Sequence, residues 1–125
     1  MSNDAKAQVI DWLRARHAAI MALEQEGLAL LKEGDKEGYT AKMRAKAEGV
    51  AALAKDAGPV LAPLPETERE RILRGLMRFS QSAATGLSLG SVFYMWALLY
   101  PDEHKPGEPD NLALFIDGLA AGGTD

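Results

Sequence analysis

All six prolines fall in two short stretches, Pro59, Pro63 and Pro65, then Pro101, Pro106 and Pro109. Proline lacks the amide hydrogen that a helix interior needs, and its ring collides with the preceding turn. These clusters therefore cut the chain into three proline-free blocks. The apolar positions are mostly alanine, leucine and methionine, with few β-branched residues, which favours helix over strand. The reading is all-α: a bundle of four or five helices in a single helical domain over 1–125. Its parts are a helical hairpin over 1–58, a Pro-rich linker over 59–65, a central helical block over 66–100, a Pro-rich loop over 101–109 and a short C-terminal helix over 110–121.

The first block reads as an antiparallel hairpin. Asn3 or Asp4 caps a helix from about Ala5 to Glu33. Ile10, Leu13, His17, Ile20, Gly27 and Leu31 share one stripe of it, with Val9, Trp12, Met21 and Leu28 adjoining. Gly34 ends that helix and Asp35 caps the next, about Lys36 to Ala57. Its apolar face carries Tyr39, Met43, Ala47, Val50 and Leu53, while Lys42, Arg44, Lys46, Glu48 and Lys55 read as solvated. The segment LLKEGDKEGYTAKMRAKAE resembles a tetratricopeptide-type hairpin, a likeness general to tight helical hairpins, since only one unit is present and the repeat needs neighbours.

From Phe79 to Tyr100 the chain has no charged side chain, its longest such run. That length suffices to cross a bilayer. Gln81, Thr85 and the serines Ser80, Ser82, Ser88 and Ser91 nevertheless dilute it to a mean hydropathy of about 1, below the spanning level. No membrane span is expected; the run reads as a buried central helix. One straight helix over 66–100 would be about 52 Å long, against roughly 35 Å for a globule of this size. A bend or break near Gly86–Gly90 resolves the mismatch. Those glycines also permit a second backbone to come close, which makes Gly86, Gly90 and Phe93 the expected interface.

Charge narrows the partners. Residues 1–62 balance nine basic against nine acidic side chains, and 63–100 carry a net +1. The remainder has six acids (Asp102, Glu103, Glu108, Asp110, Asp117 and Asp125) against Lys105 alone. No segment has the basic excess that duplex binding needs, so no nucleic acid is expected. The chain has no cysteine, and MSNDAKAQVIDW lacks an apolar signal core. Cytoplasmic localisation is the resulting expectation.

Chemistry-bearing residues are sparse. His17 lies on the apolar stripe of the first helix with Glu24 two turns later, a pair suited to a base or ligand role. A bundle metal site would add Glu-x-x-His motifs, which this chain lacks. His17 therefore reads as a boundary histidine bonded locally, and no metal, cofactor or catalytic residue is expected. His104, between Glu103 and Lys105 and close to Asp102, reads as part of a solvated turn. The serines read as bonded to the preceding helical turn. Trp12, His17, Met21, Tyr94 and Trp96 form the expected ligand-binding set, since aromatic and methionine side chains line apolar pockets as well as cores.

The functional expectation is a non-enzymatic protein acting by association, first with itself as a homodimer. Its warrant is more apolar surface on the central block than a hairpin and a short helix readily cover. The alternative is a bundle that binds a small apolar ligand or effector; a small enzyme or metal-binding bundle ranks behind both.

Overall fold

The computed structural model describes residues 2–101 and 104–122, with side chains from Asp4 onward. Among these the chain is all-α, with seven helical segments: α1 (Ser2–Lys32), α2 (Lys36–Ala51), α3 (Leu53–Asp56), α4 (Gly58–Leu61), α5 (Glu66–Leu89), α6 (Val92–Ala97) and α7 (Asn111–Ala120). The count exceeds four or five because the second expected helix breaks after Ala51. A single turn also forms across the linker, where Pro59 occupies an opening position that needs no amide hydrogen.

α1 and α2 form the hairpin. α1 begins at Ser2, so Asn3 and Asp4 lie in its first turn rather than at a cap. Gly34 takes φ +88° at the turn, and the Asp35 carboxylate accepts from the Gly38 amide at 2.8 Å to cap α2. Gly27 lies at the close approach of the two helices: a Cβ there would stand 3.0 Å from Lys42 Cβ as well as 2.6 Å from the movable end of Met43. α1 buries Val9, Leu13, Ile20 and Glu24, and α2 buries Met43, Lys46, Ala47 and Val50; Glu24 meets Lys46 across the hairpin, while α1 continues past α2 to contact α4 and α7.

α5 lies along α2 and α3, but it buries only one stripe, Ile72, Leu76, Ala83 and Gly86. Most charged side chains of its first half, with Ser82 and Ser88, are exposed, so burial does not encircle the helix as its uncharged stretch suggested. α5 stops at Leu89, with Gly90 left-handed at φ +66°, and Ser91 caps α6 through the Tyr94 amide at 3.1 Å. The break thus falls at the second of the two glycines. Gly86 is buried beneath the ring of Tyr94; a Cβ there would stand 2.7 Å from Tyr94 Cδ1. Close approach at Gly86 is satisfied within the chain, which removes it from the expected interface.

Ser80 departs from the expected back-bonding. Its hydroxyl donates to the Val50 carbonyl at 3.0 Å and accepts from the Ala54 amide at 3.2 Å, stitching the break between α2 and α3 to α5. Thr85 does bond the preceding turn, at the Gln81 carbonyl. α7 closes the bundle through Leu112, Ile116 and Leu119. Phe115 meets Phe79 edge to face at 5.8 Å over the bare Cα of Gly75. No helix among the described residues is long and apolar enough to cross a membrane.

Candidate functional site

The chain after α6 turns sharply at Leu98 and Leu99. Leu99 is the one non-glycine described residue with positive φ, +77°, a conformation unfavourable for a γ-branched side chain. Its carbonyl accepts from the Asn111 amide at 2.8 Å, and both leucines are buried. The turn is held by a lysine. Lys46 Nζ donates to the carbonyls of Trp96 at 2.6 Å and Leu98 at 3.0 Å, and to Glu24 Oε1 at 2.8 Å. All three ammonium hydrogens are thereby used, and the cation sits where a helix end presents unpaired carbonyls.

Glu24 completes the cluster. Its second oxygen, Oε2, accepts the Tyr100 hydroxyl, and Lys46 Nζ lies 5.0 Å from the centroid of the Tyr100 ring. Beside it, His17 Nε2 donates to Asp110 Oδ2 at 2.7 Å, and Asp110 Oδ1 caps α7 through the Ala113 amide at 2.9 Å. A carboxylate only accepts, so this bond puts a hydrogen on Nε2 of His17. Four parts of the fold, α1, α2, the α6 end and the α7 start, are joined by two polar sets, Lys46 with Glu24 and Tyr100, and His17 with Asp110, which interact through the charges of Asp110 and Lys46. Among the described residues every buried side-chain nitrogen and oxygen has a partner.

Electrostatics follow from burial. Desolvation pulls the Lys46 ammonium below the ordinary lysine range, opposed by the hydrogen bond and charge of Glu24 and by the charge of Asp110. The Tyr100 phenol is pushed well up, first by burial and then by the adjacent Glu24 and Asp110. Burial also pushes the Asp110 carboxyl up, but the His17 bond and the amides of Ala113 and Leu112 outweigh it and hold it below the usual range. A lysine with every hydrogen committed is no nucleophile. The network fixes a turn and presents a carboxylate.

That carboxylate lines a cleft of about 550 Å³, with Leu28, Phe93, Trp96, Ala97, Tyr100, Pro101, His104 and Pro106. Phe93 and Trp96 rings lie 6.0 Å apart, Trp96 and Tyr100 5.8 Å, and Tyr100 and His104 4.6 Å, an aromatic row along one wall. His104 Nε2 bonds the Glu108 carbonyl at 2.7 Å, which draws the loop over the row. A second cavity of about 380 Å³ lies on the other side of residues 97–100, between Arg78, Phe79, Ser82, Tyr94 and Asn111.

No family model, curated protein or solved structure matches this chain. Function must be read from the geometry.

The expected ligand set is divided by the fold. Trp96 lines the larger cleft and Tyr94 the smaller. Trp12 and Met21 line neither; they pack against the core, and Arg16 lies 4.8 Å above the Trp12 ring. His17 is paired with Asp110, 93 residues away, rather than locally bonded or facing Glu24. Of the expected interface, Gly90 is a helix cap and Phe93 is 72% exposed beside Leu89 at 66%. Asp102 and Glu103, neighbours of His104 in sequence, lie outside the described residues. No cluster of three or more histidine or acidic side chains among the described residues is arranged to hold a metal ion.

Lys46, Tyr100 and Asp110 are the residues that sequence reading missed. Lys46 carried a signal: it is three residues after Met43 and four before Val50, on the apolar face of α2. Glu24 stands on the apolar stripe of α1 in the same way. Opposite charges on two facing apolar stripes of one hairpin are a buried pair in waiting.

Proposed function

We propose that this protein is a non-enzymatic binding bundle whose site is the cleft between α1, α6 and the 101–109 loop. The observation that carries this reading is the aromatic row of Phe93, Trp96 and Tyr100 set beside the buried carboxylate of Glu24. Apolar walls with one or two fixed polar groups are the usual composition of a small-molecule site, and about 550 Å³ is within the usual size. The Lys46 bonds to the Trp96 and Leu98 carbonyls support it, because they hold the wall rigid before any ligand arrives. The cytoplasm is the compartment proposed, in keeping with a cysteine-free chain.

Trp12→Phe leaves Trp96 as the sole indole and provides the test. Titration with small aromatic alcohols should give a saturable change in Trp96 emission. Strictly linear, unsaturable responses across the panel would remove the reading.

A second reading is association between copies. Leu89 and Phe93, both exposed and on either side of the α5–α6 corner in sequence, favour it. The original reason for a homodimer is weaker than the sequence implied, since Tyr94 covers Gly86 and Phe115 meets Phe79 within one chain. Sedimentation at micromolar concentration distinguishes a monomer from such a dimer.

A further inference from the structure

We infer that the cleft takes a small organic cation with an apolar body, a protonated amine above all; this rests on the cleft being a ligand site. Three observations point the same way. Glu24 is buried and borders the cleft, and each of its oxygens receives one hydrogen bond, from Lys46 and from Tyr100. A carboxylate has about four acceptor positions, so capacity remains for donors brought by a ligand. The aromatic row offers electron-rich faces, and tryptophan is the best of these for an ammonium group.

The charges around the cleft exclude the opposite choice. Among the described residues no lysine or arginine lines it, so an anion entering would meet Glu24 without a counter-charge at the surface. Lys46 stands behind Glu24 with all its hydrogens committed, and its charge is already shared by Glu24 and Asp110.

Phenethylamine, phenethyl alcohol and phenylacetate share one apolar skeleton and differ in charge, so they separate the terms. Binding is read from Trp96 emission in the Trp12→Phe protein at neutral pH. Phenethylamine should bind about tenfold tighter than either of the others. The preference should collapse to near unity in Glu24→Gln, and Phe93→Ala, an exposed position that leaves folding untouched, should weaken the amine severalfold. If the alcohol or the acid binds as tightly as the amine, the cation inference fails while the cleft stands. If none of the three saturates, both fail.

Discussion

Lys46 and Glu24 form an ion pair at 2.8 Å with both side chains buried, each reaching across the hairpin from a different helix. Such a pair contributes little relative to apolar residues of the same size, yet losing one member strands the other's charge. Here the lysine also satisfies two carbonyls that would otherwise be left in the interior. The pair is best understood as what sets the path of the chain from Trp96 to Tyr100, and so the shape of the cleft wall.

Lys46→Met should therefore destabilise by about 3–5 kcal/mol. The double variant Lys46→Met with Glu24→Gln should lose less than the sum of the two single changes, by about 1 kcal/mol or more. Urea unfolding of the four proteins in the cycle measures this. Simple additivity would mean that the pair is not coupled.

Stability should fall at both ends of the pH scale for different residues. Asp110 is more acidic folded than its ordinary 3.8, so as pH drops the unfolded chain takes up this proton first. The stabilisation is complete above that value and lost as pH falls through the folded one. Asp110→Asn keeps a good capping side chain and should flatten this acid limb. The Tyr100 phenol is held protonated above its ordinary 10.0, so the unfolded chain releases that proton first and stability falls above pH 10. Tyr39 acts in the same direction, and Lys46, with its ammonium destabilised by burial, acts in the opposite one up to 10.5. Tyr100→Phe should make the alkaline fall shallower. Denaturant midpoints between pH 3 and 11 test both limbs.

Gly86 and Gly90 should fail for separate reasons. A Cβ at Gly86 collides with Tyr94, so Gly86→Ala should cost about 1–3 kcal/mol and be largely rescued by Tyr94→Ala. Gly90 has open space around it, but φ +66° penalises any side chain by about 1–2 kcal/mol. Tyr94→Ala should not rescue Gly90→Ala. Thermal unfolding of the single and double variants separates the two cases.

Phe93 should matter for binding and not for folding. At 72% exposure its replacement by serine should leave stability within about 0.5 kcal/mol. Loss of its apolar surface from the cleft wall should weaken a bound amine by about fivefold or more. Calorimetry and urea unfolding on Phe93→Ser give both numbers. The same variant would dissociate any dimer formed through the corner.

The helical class and the break at Gly90 were legible because they depend on local rules. Proline excludes helix interiors, and a glycine with positive φ ends a helix that would otherwise outrun its globule. The site was far less legible. Glu24 and His17 are two turns apart on one stripe, and sequence spacing suggested that they face each other. Their real partners, Lys46 and Asp110, come from elements 22 and 93 residues away and depend on how α2 and α7 dock. Tyr100 could be read as one more aromatic, since nothing local shows that its hydroxyl meets Glu24. The extent of covered surface was also hidden: Tyr94 folds back on Gly86 only because α6 reverses after Gly90, which shrinks the area a second copy would have to bury.

Native mass spectrometry of the freshly purified protein, beside its denatured mass, tests the binding reading most directly. A ligand-binding bundle gives the single-chain mass of 13.4 kDa plus a small adduct that vanishes on denaturation, and added phenethylamine should give an adduct of its own mass at one per chain. A bare dimer that acquires no adduct in millimolar phenethylamine would contradict it.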